Sequence, residues 1–215
     1  MTQITEDHVE WAVVNRLRRL FEETAHQNFS VTQTYSLFTA TICWVMQRIR
    51  IQTGQFRPED SVQGKNDRKA HSLLKRLQET AASEEPWSLP IAPVERIVSL
   101  GQDRIVVPPS MNFEGRSIGK ALVNLRNAAA HGDARNVVPF NAGNLLVGFS
   151  FTCEDFDRHG GKKVWDGTIT LLESDLRRIG IRLSDLYCST LRHSEEHRHD
   201  SHFGTDAASI KEVAA

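Results

Sequence analysis

The sequence predicts a mainly α fold, an up-down helical bundle with a small antiparallel β-meander inserted before its last long helix. Three observations predict it. Apolar residues recur at helical spacing over five stretches separated by polar loops, and helices with one apolar stripe bury it by packing on each other. Between residues 137 and 172 the period switches to alternation broken by turn residues, the pattern of short strands. Beyond residue 192 the chain is polar and rich in histidine, with nothing to bury. Residues 1–192 therefore read as one domain and 193–215 as a solvated tail. No internal repeat is visible.

The first helix is expected over 5–27. Thr5 precedes the acidic Glu6 and Asp7, as at a capped helix start, and Val9, Val13, Leu17, Leu20 and Phe21 form its stripe. Arg16, Arg18 and Arg19 make a basic cluster on the other side, either a solvated face or an RNA-backbone contact. The second helix is expected over 30–53. Ser30-Val-Thr-Gln33 has the form of a capping box, Phe38, Ile42, Val45 and Ile49 face the core, and Gly54 ends the helix. Tyr35, Trp44 and Met46 widen the apolar side, so this helix is expected to be buried on more than one face. Residues 55–67 hold Pro58 and Gly64 and read as a loop, and a third helix follows over 67–83, with Ala70, Leu73, Leu74 and Leu77 inside. His71 on it reads as a surface or packing residue, with a supporting partner of the site as the alternative. Residues 84–93 carry three prolines, 94–100 read as a short helical turn, and 101–113 as extended.

After the central helix, Val137-Val138 and 145–153 read as two strands joined at Asn141-Ala-Gly-Asn144, with Phe149, Phe151 and Cys153 on one side. A third strand is expected over 163–172, after a turn at His159-Gly-Gly161. The last helix covers 173–191, with Ser174 at its start and Gly180 a weak point. In the tail, two histidines four apart have metal-ligand spacing on a helix, but a solvated tail is the simpler expectation.

Composition narrows the function classes. Hydrophobic residues are 40% of 215, ordinary for a water-soluble domain, and no apolar run approaches the ~20 residues that span a bilayer. The opening residues have no secretory pattern, so a cytoplasmic location is the expectation. A net charge of -1 argues against a protein that coats nucleic acid nonspecifically; any such contact needs a local patch. Cys43, Cys153 and Cys188 are far apart, so no zinc site is built on them. Cys43 reads as a small core residue.

The chemistry concentrates in Ser117-Ile-Gly-Lys-Ala-Leu-Val-Asn-Leu-Arg-Asn-Ala-Ala-Ala-His-Gly132. Ile118, Ala121, Leu122, Leu125, Ala128 and Ala129 form one apolar stripe of a helix, with Ser117 as its cap and Gly132 at its C-terminal stop. Lys120, Asn124, Asn127 and His131 recur at four, three and four residues and so form a polar line, while Arg126 lies on the shoulder. An amide one turn before an imidazole can orient it, and a guanidinium offers a planar fork to phosphate.

Arg126-Asn127-Ala-Ala-Ala-His131 resembles the Arg-x4-His signature of the HEPN superfamily, including the polar residue after the arginine. The resemblance implies a HEPN-like helical bundle, with the strands an addition to the minimal domain. It implies a metal-independent endoribonuclease that cleaves RNA by attack of the ribose 2'-hydroxyl on its own phosphate. His131 would be the general base or acid, Arg126 would neutralise the phosphate charge, and Asn127 would orient His131 or touch the phosphate. It implies a homodimer with a composite site, with Lys120, Asn124 and Arg135 as candidates for binding RNA along the groove. By analogy, the role would be a toxin or phage-defence effector, restrained by an antitoxin or other regulatory protein. No cofactor, metal or membrane is expected. The alternative is a catalytically inactive HEPN module that binds RNA or nucleotide, or acts as a dimerisation scaffold.

Overall fold

The structure, a computed structural model, describes residues 9–23, 30–97, 104–131, 135–157 and 161–191. The Thr5 cap, Gly132, the turn at His159-Gly160 and the histidine tail lie outside these residues. Among those described, the chain forms helices α1 (Val9–Glu23), α2 (Ser30–Ile49) and α3 (Val62–Glu79), strands β1 (Val94–Ile97) and β2 (Arg104–Val107), helix α4 (Ile118–His131), strands β3 (Val137–Ala142), β4 (Leu145–Phe156) and β5 (Lys163–Leu172), and helix α5 (Glu173–Leu191).

This is a mixed α/β fold, which corrects the mainly helical bundle expected from the sequence. Two antiparallel sheets account for the difference, a β1–β2 pair and a three-stranded sheet in the order β3-β4-β5. Residues 94–97 are not part of a helical turn, because Val94 pairs with Val107 and Ile97 with Arg104 in an antiparallel pair, and 98–100 lie outside the described residues. Apolar runs this short carry no usable period, so the sequence could not separate strand from helix there. The three-stranded sheet is also a full layer of the core and not an appendage. Phe149, Phe151, Cys153, Ile169 and Leu171 are buried in the same cluster as Phe38, Ile42, Leu122 and Leu183. Tyr35 of α2 stacks on Phe149 at 4.3 Å between ring centroids, and Phe38 meets Phe151 edge-on at 6.2 Å. On the sheet's far end, Val107 of the hairpin joins Val147 and Leu172 in a second, smaller cluster.

β5 falls on the expected residues, while β3 runs on through Ala142 and β4 through Phe156, so the turn between β3 and β4 is tighter than expected and uses Gly143 at φ +58, in the left-handed region that glycine enters without strain. α3 begins at Val62, earlier than expected, because Ser61 is its cap and accepts a hydrogen bond from the Gly64 N–H at 2.9 Å. Asp67 lies inside that helix, buried, where it holds two arginines. On α5, Gly180 is a packing position, since a Cβ there would overlap the Phe21 ring of α1. Trp44, expected in the core, is 40% exposed, and Leu20 is 39% exposed. Both are off the stripes that meet the core.

α2 runs through the centre and touches α1, α3, α4, α5 and β4. Its C-terminal end is fixed by ion pairs. Arg48 pairs with Glu10 of α1 at 2.7 Å and with Asp67 of α3; Arg57 reaches Asp67 at 2.7 Å and Glu10 at 3.2 Å. Burial pushes the Asp67 carboxyl up, but the hydrogen bonds from Arg57 and Arg48 outweigh it and hold the group at about 2. This network sets the end of α2 against α1 and α3, and so positions the surface that α4 completes.

Candidate functional site

α4 places the candidate residues in three environments. Arg126 is half-buried beside α2. Its Nη2 donates to Gln47 Oε1 at 2.9 Å and its Nη1 to Asn127 Oδ1 at 3.1 Å, while its Nε is buried without a partner. A guanidinium has five N–H donors, so two are used and three remain. The group faces a groove of about 1070 Å³ between α1 and α2. Val13 and Leu17 form one wall; Cys43, Trp44 and Gln47 form the other. Burial pushes the Cys43 thiol up, and the Arg126 charge partly draws it back.

His131 is exposed and is the last residue of α4. Five residues on a helix correspond to about 7.5 Å of rise and about 140° of rotation, so one chain does not carry His131 into the groove that Arg126 faces. It lines neither of the two depressions described here. Among the described residues, Asn127 bonds to Arg126 and not to His131, so its amide positions the guanidinium.

Lys120 is exposed, and with Asn124, Asp155, Arg50 and Gln52 it borders a second depression of about 350 Å³. Asn124, by contrast, is 1% exposed and committed at both ends. Its Oδ1 accepts from Arg116 Nη2 at 2.9 Å and Nε at 3.1 Å, and its Nδ2 donates to Asp155 Oδ1 at 2.6 Å. Arg116 also pairs with Asp155 and stacks on Trp165 at 3.5 Å from the ring centroid. Asn124 therefore ties α4 to β4 inside the fold, and the expected polar line along α4 is interrupted there. Arg135 is exposed, just ahead of β3.

Charge pairing separates the cations. Arg48 and Arg57 are neutralised by Glu10 and Asp67, as above. Among the described residues no carboxylate pairs with Arg50, Lys120 or Arg126. Arg50 and Gln52 border both depressions, so the three cations lie along one continuous surface. Trp44, Gln47 and Arg50 were not picked out from sequence. The signal was present, because Trp44 and Gln47 are one turn apart and lie off the Phe38–Ile42–Val45–Ile49 stripe. Among the described residues no group of three or more His, Cys, Asp or Glu side chains could hold a metal ion, and no helix is long and apolar enough to cross a membrane.

No family model, curated protein or solved structure matches the chain.

Proposed function

We propose that the protein is a metal-independent endoribonuclease of the HEPN type, acting as a homodimer. The observation that carries this reading is Arg126. Its guanidinium is held by two neutral amides, is neutralised by no carboxylate among the described residues and keeps one further N–H on each Nη for a ligand at a concave surface. That arrangement suits the equatorial oxygens of a phosphate in a transition state where their charge grows. His131, exposed five residues on, is the proton-transfer group.

In the reaction, the 2'-oxygen bonds to phosphorus as its proton passes to His131. The bond from phosphorus to the 5'-oxygen breaks, and that oxygen takes a proton from a second His131. The products are a 2',3'-cyclic phosphate and a free 5'-hydroxyl. One chain has a single His131 set away from its own Arg126, so a two-fold apposition of α4 ends supplies both the acid and the base and closes the site. Asn127 acts through Arg126, while Lys120 and Arg135 extend the cationic surface. A role as a toxin or phage-defence effector, restrained by an antitoxin or regulatory protein, rests on analogy with the superfamily.

The test is cleavage of mixed cellular RNA in chelator by wild type and His131→Ala. Cyclic-phosphate ends from the wild type that vanish in the variant are expected. Equal RNA integrity with both proteins, each folded and dimeric, would overturn the reading. One observation favours a second reading, a silent module that binds RNA or nucleotide: among the described residues, Asn127 is bonded to Arg126 and not to His131. That reading gives binding to RNA with no cyclic-phosphate ends.

A further inference from the structure

We infer that the α1–α2 groove is a subsite for one unpaired nucleotide, with the base stacked on Trp44 and its phosphate on Arg126 and Arg50. The choice of RNA as ligand rests on the ribonuclease reading; the choice of a single, unpaired base rests on the groove itself. Trp44 is 40% exposed, although Phe38, Ile42 and Met46 on the same helix are wholly buried. It forms a wall of the groove with its ring accessible. Gln47, which holds the Arg126 guanidinium at 2.9 Å, is one helical turn from Trp44. Side chains so spaced are neighbours, with about 5–6 Å between their Cβ atoms, so the Trp44 ring and the guanidinium that Gln47 holds line one stretch of the groove. Arg50 follows immediately after the helix and has no carboxylate partner among the described residues.

Charge complementarity selects the occupant. The groove combines an aromatic face, two cations that no acid among the described residues neutralises, and the amides of Gln47 and Gln52. Its one carboxylate, Glu10, is engaged by Arg48 and Arg57. An apolar helix from another protein would leave these donors unsatisfied, whereas a nucleotide satisfies the cations with its phosphate and the ring with its base. A base inside a duplex has no free face for Trp44, so the groove selects single strands.

The experiment uses a short 2'-O-methyl oligonucleotide of mixed sequence, single-stranded or annealed to its complement, titrated against the full chain and against Trp44→Leu, Trp44→Phe and Arg50→Gln. Lacking the 2'-hydroxyl nucleophile, the probe reports binding without cleavage. Expected are quenching of tryptophan emission by the single strand and much weaker binding of the duplex. Trp44→Leu should lose about 5- to 150-fold in affinity, the range that base–aromatic stacking spans, with partial rescue by Trp44→Phe. Arg50→Gln should lower the slope of log affinity against log salt by about 0.7, one phosphate contact on a single strand. Equal affinity and quenching in Trp44→Leu would overturn the inference. So would loss of binding that tracks conversion of a dimer to a monomer in the same samples, since that would make the groove a protein interface. Single-strand binding through Trp44 by a protein that leaves cellular RNA intact would sink the ribonuclease reading and leave the subsite standing. Cleavage without Trp44 quenching would sink the subsite alone.

Discussion

Replacing Arg126 by alanine separates catalysis from stability, because its contacts set the size of each effect. The side chain makes two hydrogen bonds to neutral amides, at 2.9 Å to Gln47 and 3.1 Å to Asn127, each contributing about 0.5–1.5 kcal/mol. Its buried, unpartnered Nε works against those bonds, so deletion is expected to cost only about 1 kcal/mol of folding stability. Removing one donor group aimed at developing charge lowers a rate by about 10²- to 10³-fold, equivalent to about 2.7–4 kcal/mol. The assay is single-turnover cleavage of a labelled single-stranded oligoribonucleotide in chelator, with urea unfolding of the same preparations. Arg126→Ala should lose at least a hundredfold in rate with a near wild-type unfolding midpoint. Arg126→Lys should recover only part of the loss, since it restores the charge without the planar fork. An alanine variant that cleaves within threefold of wild type would refute the role assigned to Arg126, and so would a rate loss that disappears once the folded fraction is corrected.

Three further outcomes follow from neighbouring residues. Asp67→Asn removes a buried charge shared by Arg48 and Arg57 and should cost about 3–5 kcal/mol in urea unfolding. Because the folded Asp67 carboxyl is held down at about 2, its stabilisation is complete above about pH 5 and is lost as pH falls through the ordinary carboxylate range toward 2; the gap between wild type and variant should close over that window, and a gap that widens there would contradict the ion-pair account. Asn124→Leu should lower stability by about 1–3 kcal/mol, since Arg116 and Asp155 lose their amide partner, while leaving oligonucleotide affinity within twofold; a large affinity loss at unchanged stability would make Asn124 a substrate contact after all. With iodoacetamide near neutral pH, Cys43 should react well before Cys153, whose thiol burial pushes to about 12, and bound oligonucleotide should slow the Cys43 reaction; mass spectrometry that finds Cys153 modified first would contradict the groove geometry.

Legibility in the sequence followed the length and regularity of each signal. Lys163–Leu172 and Glu173–Leu191 fall on the expected residues because each has a long period and a sharp boundary. β1 was missed because Val-Glu-Arg-Ile is four residues, too short to show a period, whereas β2 lies in the 101–113 stretch read as extended, without its partner strand. That miss, together with treating β3–β5 as an attachment, produced the wrong fold class. Only packing reveals that Phe149 and Phe151 share a core with α2. At the site, the motif on α4 was legible and its surroundings were not. Asn124 and Asn127 are chemically identical in sequence, yet one is fastened to Arg116 and to the distant Asp155 and the other to its neighbour Arg126. Trp44 was read as core because a tryptophan on an apolar helix usually is. Its exposure depends on where α1 lies, which α2 alone does not encode.

Arg48 and Arg50 show how the fold divides labour among like residues. Arg48 lies in the last turn of α2 and is neutralised by Glu10 and Asp67, while Arg50, just past the helix end at Ile49, borders both depressions and has no carboxylate partner among the described residues. A neutralised guanidinium fixes structure but has little field left for a phosphate. Arg126 must be held as firmly as Arg48 and stay charged as Arg50 does, and neutral amide partners meet both requirements. Gln47→Glu tests this directly. The carboxylate keeps the hydrogen bond from Arg126 and adds an ion pair, so folding should be unchanged or stabilised by up to about 1 kcal/mol, less at high salt. The field at the groove is cancelled, so single-strand affinity should fall, the salt slope should drop by about 0.7, and cleavage should slow in step with Arg126→Ala. Gln47→Leu, which frees the guanidinium without cancelling its charge, should do less harm to binding than Gln47→Glu. The reverse order would mean that Gln47 matters for the aim of Arg126 and not for sparing its charge.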